Sequence, residues 1–158
     1  MIITSMSQSA ITLHGASYSV YTRIIRLALA EKGLRYDLNV VDIFGTDRNS
    51  TAHRTRHPFN RIPALTIDGV TLYETSAIAR YLDDAVPSPP LQPLNALARA
   101  RMNTFISLMD NYAFRGIVWG VFVERVQKPV QGDTPKATPP MRLRSPPAST
   151  QRKHFCRR

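Results

Sequence analysis

The amino-acid sequence predicts an α/β domain followed by a shorter all-helical region. Two observations support this prediction. Strand-like and helical patterns alternate along the first half of the chain, and a proline-rich stretch at residues 87–93 separates them from purely helical patterns. With 158 residues, 43% of them hydrophobic, the chain can bury one good core, whereas two full domains would be crowded.

The domain opens with a strand, a helix and a second strand. Residues 11–15 alternate between apolar and polar side chains, which is the period of a strand. Apolar residues within 22–31 recur on one helical face, and Lys32-Gly33 is a stop signal. Residues 36–41 again have the composition of a strand. The helical crossover predicts that the two strands are parallel.

A hairpin follows after a polar loop. Residues 42–56 have no clear period, and we expect a loop there with one short helix. Asp68-Gly69 supplies the positive φ that a tight turn requires between strands at 64–67 and 70–73.

The last element of the domain is a helix that ends before Pro87. Thr75 is predicted to cap its start, and four residues form its buried stripe: Ile78, Ala79, Tyr81 and Leu82. The order of elements, βαβ then ββα, is that of the thioredoxin-like fold, which we assign to residues 11–86.

The other regions are shorter. We expect a flexible N-terminus at residues 1–10, a linker at 87–93 and a partial all-helical domain at 94–130. In that domain a helix at 94–115 precedes a strongly apolar segment at 117–123, which predicts a helical hairpin that needs a partner surface.

The formal net charge of +10 is concentrated at the end of the chain. Residues 131–158 hold seven basic residues and one acidic residue, with five prolines and few large apolar side chains. Such a segment cannot bury enough surface to offset its ordering entropy, so we expect a disordered basic tail. Its binding to anionic surfaces would be weak and salt-dependent, and we expect no specific nucleic-acid partner.

The single cysteine, Cys156, excludes a disulfide framework and a cysteine zinc cluster, and we expect no metal. The four residues 19–22 are Ser-Val-Tyr-Thr, which lacks the Cys-x-x-Cys of disulfide exchange at the loop-to-helix junction. No apolar run of 18 residues and no signal peptide are evident, so we expect a soluble, cytoplasmic protein without a membrane partner.

Several fragments, in order and at the right spacing, resemble the glutathione transferase family, specifically its bacterial and theta-like members with an active-site serine. They are Leu13-His14-Gly15, Tyr18-Ser19, Arg23, Pro58-Phe59-Asn60-Arg61-Ile62-Pro63, Glu74-Thr75, Ala77-Ile78-Ala79-Arg80-Tyr81-Leu82, Arg99-Ala100-Arg101-Met102-Asn103 and Val118-Trp119-Gly120-Val121-Phe122. The resemblance implies a glutathione-binding N-terminal domain and a helical domain that binds a hydrophobic electrophile. It also implies a homodimer, with glutathione as co-substrate and no other cofactor.

The resemblance makes Ser19 the catalytic residue, as the hydrogen-bond donor to the glutathione sulfur. A hydroxyl donor and the positive end of a helix both favour a thiolate over a thiol. The plain alternative is that Ser19 only caps a helix, since serine does so in any fold. Ser17, Tyr18 and Tyr21 are competing donors.

The rest of the glutathione site follows from the same resemblance. The backbone of Ile62 would pair with the cysteinyl part, next to a cis bond before Pro63. Glu74 would face the γ-glutamyl ammonium, while Thr75 and a helix N-terminus would face the carboxylate. Structural alternatives are a trans proline opening an edge strand and a helix cap beside a solvated acid.

The glycyl carboxylate of glutathione calls for a cation. Arg48 is our candidate, with His53 and Arg61 as alternatives, and mobile surface charge is the plain explanation for each.

The sequence therefore predicts a glutathione transferase that conjugates the thiolate to an electrophile. The helical pattern stops near Val130, earlier than in the family, so we expect weak or lost activity. One alternative is a non-enzymatic protein-interaction module of the same fold, and another is a nucleic-acid-associated protein acting through residues 131–158.

Overall fold

The computed structural model describes residues 10–43, 50–130 and 132–134. They belong to two compact units that divide between Leu94 and Asn95. Residues 1–9 of the predicted flexible start (1–10), and nearly all of the predicted tail, lie outside the described residues.

The first unit contains a four-stranded sheet of β1 (Ile11–Gly15), β2 (Asp37–Val40), β3 (Ala64–Ile67) and β4 (Val70–Tyr73). The strand order is β2-β1-β3-β4, with β1 and β2 parallel and the other two pairs antiparallel. These strands confirm the predicted ones, except that β2 is one residue shorter at each end. In the hairpin turn Asp68 and Gly69 have φ of 48° and 81°, as predicted.

Three helices accompany the sheet: α1 (Val20–Glu31), α2 (Thr51–Arg54) and α3 (Thr75–Ala85). The first begins two residues earlier than predicted because Ser19 caps it. The second is the short helix expected within the polar loop, capped by Ser50. The element order is that of the thioredoxin-like fold.

The hydrophobic core lies on one face of the sheet. Alternate strand residues pack there against apolar side chains of α1 and α3, and the cluster comprises Ile11, Leu13, Ile25, Ala28, Leu29, Leu34, Leu65, Ile67, Ile78 and Leu82. The period of two in the strands therefore separates an apolar face from a polar one.

The opposite face carries a chain of hydrogen bonds across all four strands. The amide of Asn39 donates to Nδ1 of His14 at 2.9 Å, and Nε2 of His14 donates to Oγ1 of Thr66 at 2.9 Å. Thr66 and Thr71 then join through their hydroxyls at 2.9 Å. Burial, followed by the nearby charges of Arg56 and His53, lowers the pKa of His14 to about 4, so its imidazole is neutral.

A buried ion pair closes the far end of this unit. Nζ of Lys32 donates to Oδ1 of Asp83 and to the carbonyls of Val86 and Pro89, each at 2.5 Å. Asp83 also accepts the N–H of Leu91 and the amide of Gln92. Burial raises the pKa of Asp83, but these hydrogen bonds outweigh it and leave the pKa below its ordinary value.

The described part of the second unit consists mainly of one unbroken helix over residues 96–130. It comprises α4 (Ala96–Leu108), two π-helical segments (Met109–Ala113 and Arg115–Gln127) and α5 (Lys128–Val130). The predicted hairpin is therefore wrong, because no proline or turn sequence interrupts residues 96–128 and the helix continues through Gly116 and Gly120. Among the described residues, no helix is both long and apolar enough to cross a membrane.

Candidate functional site

Ser19 lies at the N-terminus of α1, after the loop that follows β1. Its Oγ accepts the backbone N–H of Thr22 at 3.3 Å, which is a helix N-cap. This bond uses a lone pair of the oxygen and leaves the hydroxyl hydrogen to donate elsewhere. The N–H of Ser19 bonds to the carbonyl of Ala16 at 3.0 Å, which fixes the loop.

Tyr18, one of the competing donors, is engaged with an acid. Its hydroxyl donates to Oδ1 of Asp42 at 3.2 Å. Burial, then the charge and hydrogen bond of Asp42, raise the pKa of Tyr18 to about 12. Ser17 is exposed and Tyr21 is half-buried, and Tyr21 has interactions of its own.

Ile62 meets the Ser19 loop through a small apolar cluster. Its side chain is buried with those of Ala16 and Val41. The Ile62–Pro63 peptide bond is cis, as predicted, and Pro63 directly precedes β3. No hydrogen bond among the described residues engages the backbone N–H or carbonyl of Ile62.

His53 is buried and hydrogen-bonds to the backbone of the same segment. Its ring is 1% exposed, and Nε2 donates to the carbonyl of Arg61 at 2.7 Å. The sequence alternative that made His53 a cation for the glycyl carboxylate is therefore wrong, because a buried side chain already committed to a backbone carbonyl cannot reach a ligand. His53 instead holds the residue before Ile62.

Glu74 follows β4 and directly precedes α3. Because Ala64 pairs with Tyr73, the residues next to them, Pro63 and Glu74, lie side by side at this end of the sheet. Glu74 is the N-cap residue of α3, with φ of 69° and ψ of 116°. Its carboxylate is 58% exposed and so faces solvent.

Thr75 is the first residue of α3 rather than its cap. No side-chain hydrogen bond caps this helix, so the prediction that Thr75 would do so is wrong. The positive φ of Glu74 moves the helix boundary one residue earlier than the sequence pattern indicates. Among the described residues, no hydrogen bond engages the first N–H groups of α3, which the helix itself leaves unpaired.

His57 lies beneath Glu74. It is 2% exposed, and its Nε2 is 3.8 Å from Oε1 of Glu74. The rings of Tyr73 and Phe59 contact it, with centroids 5.1 and 6.2 Å away. No prediction from the sequence placed His57 next to Glu74. The available signal was the spacing of His53 and His57, which lie four residues apart near a short helix, a spacing that can bring two side chains together.

The cations proposed for the glycyl carboxylate are less well defined. Arg48 lies outside the described residues, and Arg61 is exposed on the loop before Ile62. The described ranges contain no group of three or more His, Cys, Asp or Glu side chains that could hold a metal ion. The structure thus brings together Ser19, Ile62, Pro63, Glu74 and Thr75 at one end of the sheet, where the carboxylate of Glu74 is exposed.

Comparison with known proteins agrees with this architecture. Residues 18–85 match the family model of the glutathione S-transferase N-terminal domain. A glutathione S-transferase from Rhodospirillum rubrum superposes with a TM-score of 0.70 at 26% identity, covering 80% of this chain and 56% of that one.

Sequence relatives agree as well. A stringent starvation protein A homolog of Coxiella burnetii is 32% identical over 96 residues, which are 61% of this chain and 44% of the relative. The maleylacetoacetate isomerase of Rattus norvegicus is 36% identical over 78 residues, which are 48% of this chain and 36% of the relative. The chain thus spans less than half the length of these relatives.

The fold and the matches define a thioredoxin-like domain, continued by a helical region. This domain is similar to the N-terminal domain of glutathione S-transferases.

Proposed function

We propose that this protein binds glutathione at the end of the sheet and ionises its thiol for attack on a hydrophobic electrophile. The observation that carries the proposal is Ser19, whose hydroxyl hydrogen is available at the N-terminus of a 12-residue helix beside the Ile62 segment. Glutathione acts as co-substrate, with no further cofactor.

The chemistry needs a lower thiol pKa. A free thiol has a pKa of about 8.5, so only a few per cent is ionised near neutral pH. Lowering that pKa by about two units requires about 2.7 kcal/mol of preferential thiolate stabilisation. A charge-assisted hydrogen bond from Ser19, together with the α1 dipole, is of this size. Tyr18 is a poorer donor because its hydroxyl already binds Asp42.

The rest of the tripeptide has matching partners. The ammonium of the γ-glutamyl residue binds the exposed carboxylate of Glu74. The carboxylate of the same γ-glutamyl residue binds Thr75 and the first N–H groups of α3. The cysteinyl backbone pairs with Ile62. The glycyl carboxylate takes Arg48 or Arg61.

The reaction class, the assembly and the cellular location are proposed from the relatives and the sequence. The reaction class is transferase or isomerase, since relatives of both names match this chain. We propose that the reaction is conjugation to an electrophile. We also propose that the protein forms a homodimer and is located in the cytoplasm.

Calorimetric titration with glutathione tests the proposal. We expect the parent protein to bind, and Glu74→Gln to lose about tenfold in affinity because the ammonium loses its counter-charge. Asp68→Asn is the matched control, since it also removes an exposed acid at a residue of positive φ, at the opposite end of β4. A folded parent that does not bind, or a Glu74→Gln protein that binds equally well, would contradict the proposal.

The second candidate function is a non-enzymatic protein-interaction module. It is favoured by the described helix of residues 96–130, which exposes large apolar side chains such as Phe105 (64%) and Tyr112 (73%). Binding of a protein partner by a chain that does not bind glutathione would support this candidate over the transferase.

A further inference from the structure

His57 is a buried imidazole without a role in the proposed reaction, yet it lies directly against the residue proposed to bind the ammonium. Its Nε2 points to Oε1 of Glu74 at 3.8 Å. Its other ring nitrogen, Nδ1, is buried without a hydrogen-bond partner among the described residues. The imidazole therefore acts on its surroundings through Nε2.

The ring is held in this orientation. Tyr73 packs on it at 5.1 Å between centroids and Phe59 at 6.2 Å, while the N–H of His57 bonds to the carbonyl of His53 at 2.9 Å. This packing keeps Nε2 of the ring next to the carboxylate of Glu74. Any change of charge on His57 is thus felt by the carboxylate.

We propose that His57 is a positioning residue for Glu74 and that its protonation state controls how strongly Glu74 binds the ammonium of glutathione. This inference rests on the proposed function and deepens it. Neutral His57 packs beside the carboxylate, with Nε2 3.8 Å from Oε1, and leaves the full negative charge of Glu74 to the ligand. Protonated His57 pairs with the carboxylate and repels the ammonium, so affinity falls as the pH falls.

The groups that face His57 determine where this change occurs. Burial lowers the pKa of His57, and the carboxylate of Glu74 raises it. The charges of His53 on α2 and of Arg61 on the following loop lower the pKa further. The phenol of Tyr73 is the other titratable group in contact with the ring. The pKa therefore lies below its ordinary value of about 6.5, and the neutral, binding-competent form predominates at neutral pH.

The experiment must separate His57 from the thiol of glutathione, which also ionises when bound. S-methylglutathione is the probe, because its sulfur carries no proton. Calorimetry from about pH 7.5 to about pH 4.5 compares the parent with His57→Gln. The difference between the pH profiles of the two proteins measures the contribution of His57. We expect the parent to lose about threefold more affinity than His57→Gln over this range.

Two further arms keep the test informative should His57→Gln fail to fold. The analogue of S-methylglutathione without its amino group should lose this part of the pH dependence in the parent protein. The imidazole titration of His57, followed by NMR without ligand, should shift to lower pKa in Glu74→Gln and stay unchanged in the control Asp68→Asn.

The outcomes distinguish the two proposals. No binding of S-methylglutathione by the folded parent at neutral pH would overturn the proposed function, and this inference with it. Binding with the same pH profile in parent and His57→Gln, or an unchanged His57 titration in Glu74→Gln, would overturn this inference alone.

Discussion

Glu74 adopts a backbone conformation that few side chains tolerate. Its φ of 69° with ψ of 116° lies outside the regions favoured by L-residues other than glycine. Such strain costs on the order of 1–3 kcal/mol and is concentrated at functional sites. At this position it places an exposed carboxylate beside the open N-terminus of α3.

Replacing Glu74 with glycine should therefore improve stability while damaging the site. We expect Glu74→Gly to raise the free energy of unfolding by about 1 kcal/mol, because glycine accepts positive φ without strain. Glutathione affinity should fall as in Glu74→Gln. Urea unfolding and calorimetry measure both quantities, and a Glu74→Gly protein less stable than Glu74→Gln would contradict the strain argument.

Gly15 is required by a close approach at the end of β1. A Cβ atom at this position would lie 2.4 Å from Oγ1 and 2.8 Å from Cγ2 of Thr22. Gly15→Ala should destabilise the protein by about 1–3 kcal/mol. The pair Gly15→Ala with Thr22→Ala should recover much of this loss in urea unfolding, because both close atoms are removed. Strictly additive losses in the double variant would show that the clash is not the cause.

The polar face of the sheet makes stability dependent on pH. His14, on β1, is neutral in the folded protein with a pKa of about 4, whereas an unfolded histidine titrates near 6.5. Between these values the unfolded chain binds more protons, so stability rises with pH. The contribution of His14 is complete above about pH 6.5 and is lost as the pH falls through about 4.

The size of this effect should be on the order of 3 kcal/mol. Urea unfolding at pH values across this range measures it. His14→Gln should flatten much of the pH dependence, since glutamine can accept from Asn39 and donate to Thr66 without titrating. The pKa of His57 is also lowered, so in His14→Gln the stability should still rise with pH, with a smaller slope. An unchanged slope in His14→Gln would contradict the assignment.

Local patterns in the sequence were enough to predict the elements of the first unit, whereas the predicted hairpin after residue 94 was wrong. The strands follow from period-two alternation, and the hairpin follows from Asp68-Gly69. The start of α3 was misplaced because a positive φ at a glutamate has no sequence signature. The hydrogen-bond chain through Asn39, His14 and Thr66 depends on the register of strands distant in sequence. The roles of His53 and His57 likewise depend on the loop conformation.

At the scale of the whole molecule, the buried pair of Lys32 and Asp83 joins the ends of α1 and α3 to the chain beyond them. Three hydrogen bonds use the Lys32 ammonium, and the segment up to Gln92 is bound through Asp83. This network fixes the segment that follows the thioredoxin-like domain. Removal of one partner leaves a buried charge uncompensated.

Lys32→Met should therefore cost about 3–5 kcal/mol of stability. Lys128→Met is the matched control, because Lys128 pairs with Glu124 one helical turn away, and such pairs contribute about 0.3–0.5 kcal/mol. Thermal unfolding of both variants provides the comparison. Equal losses in the two proteins would contradict a structural role for the Lys32–Asp83 pair.

The central proposal is that Ser19 ionises the thiol of bound glutathione. The most direct test is the pH dependence of the thiolate absorbance of glutathione bound to the parent, Ser19→Ala, Ser19→Asp and Ser17→Ala. Asp keeps the helix cap but places a negative charge against the sulfur. We expect a thiol pKa about two units below that of free glutathione in the parent and Ser17→Ala, with that lowering lost in Ser19→Ala and in Ser19→Asp. An unshifted thiol pKa in the parent, or a shift that survives both Ser19 substitutions, would contradict the account.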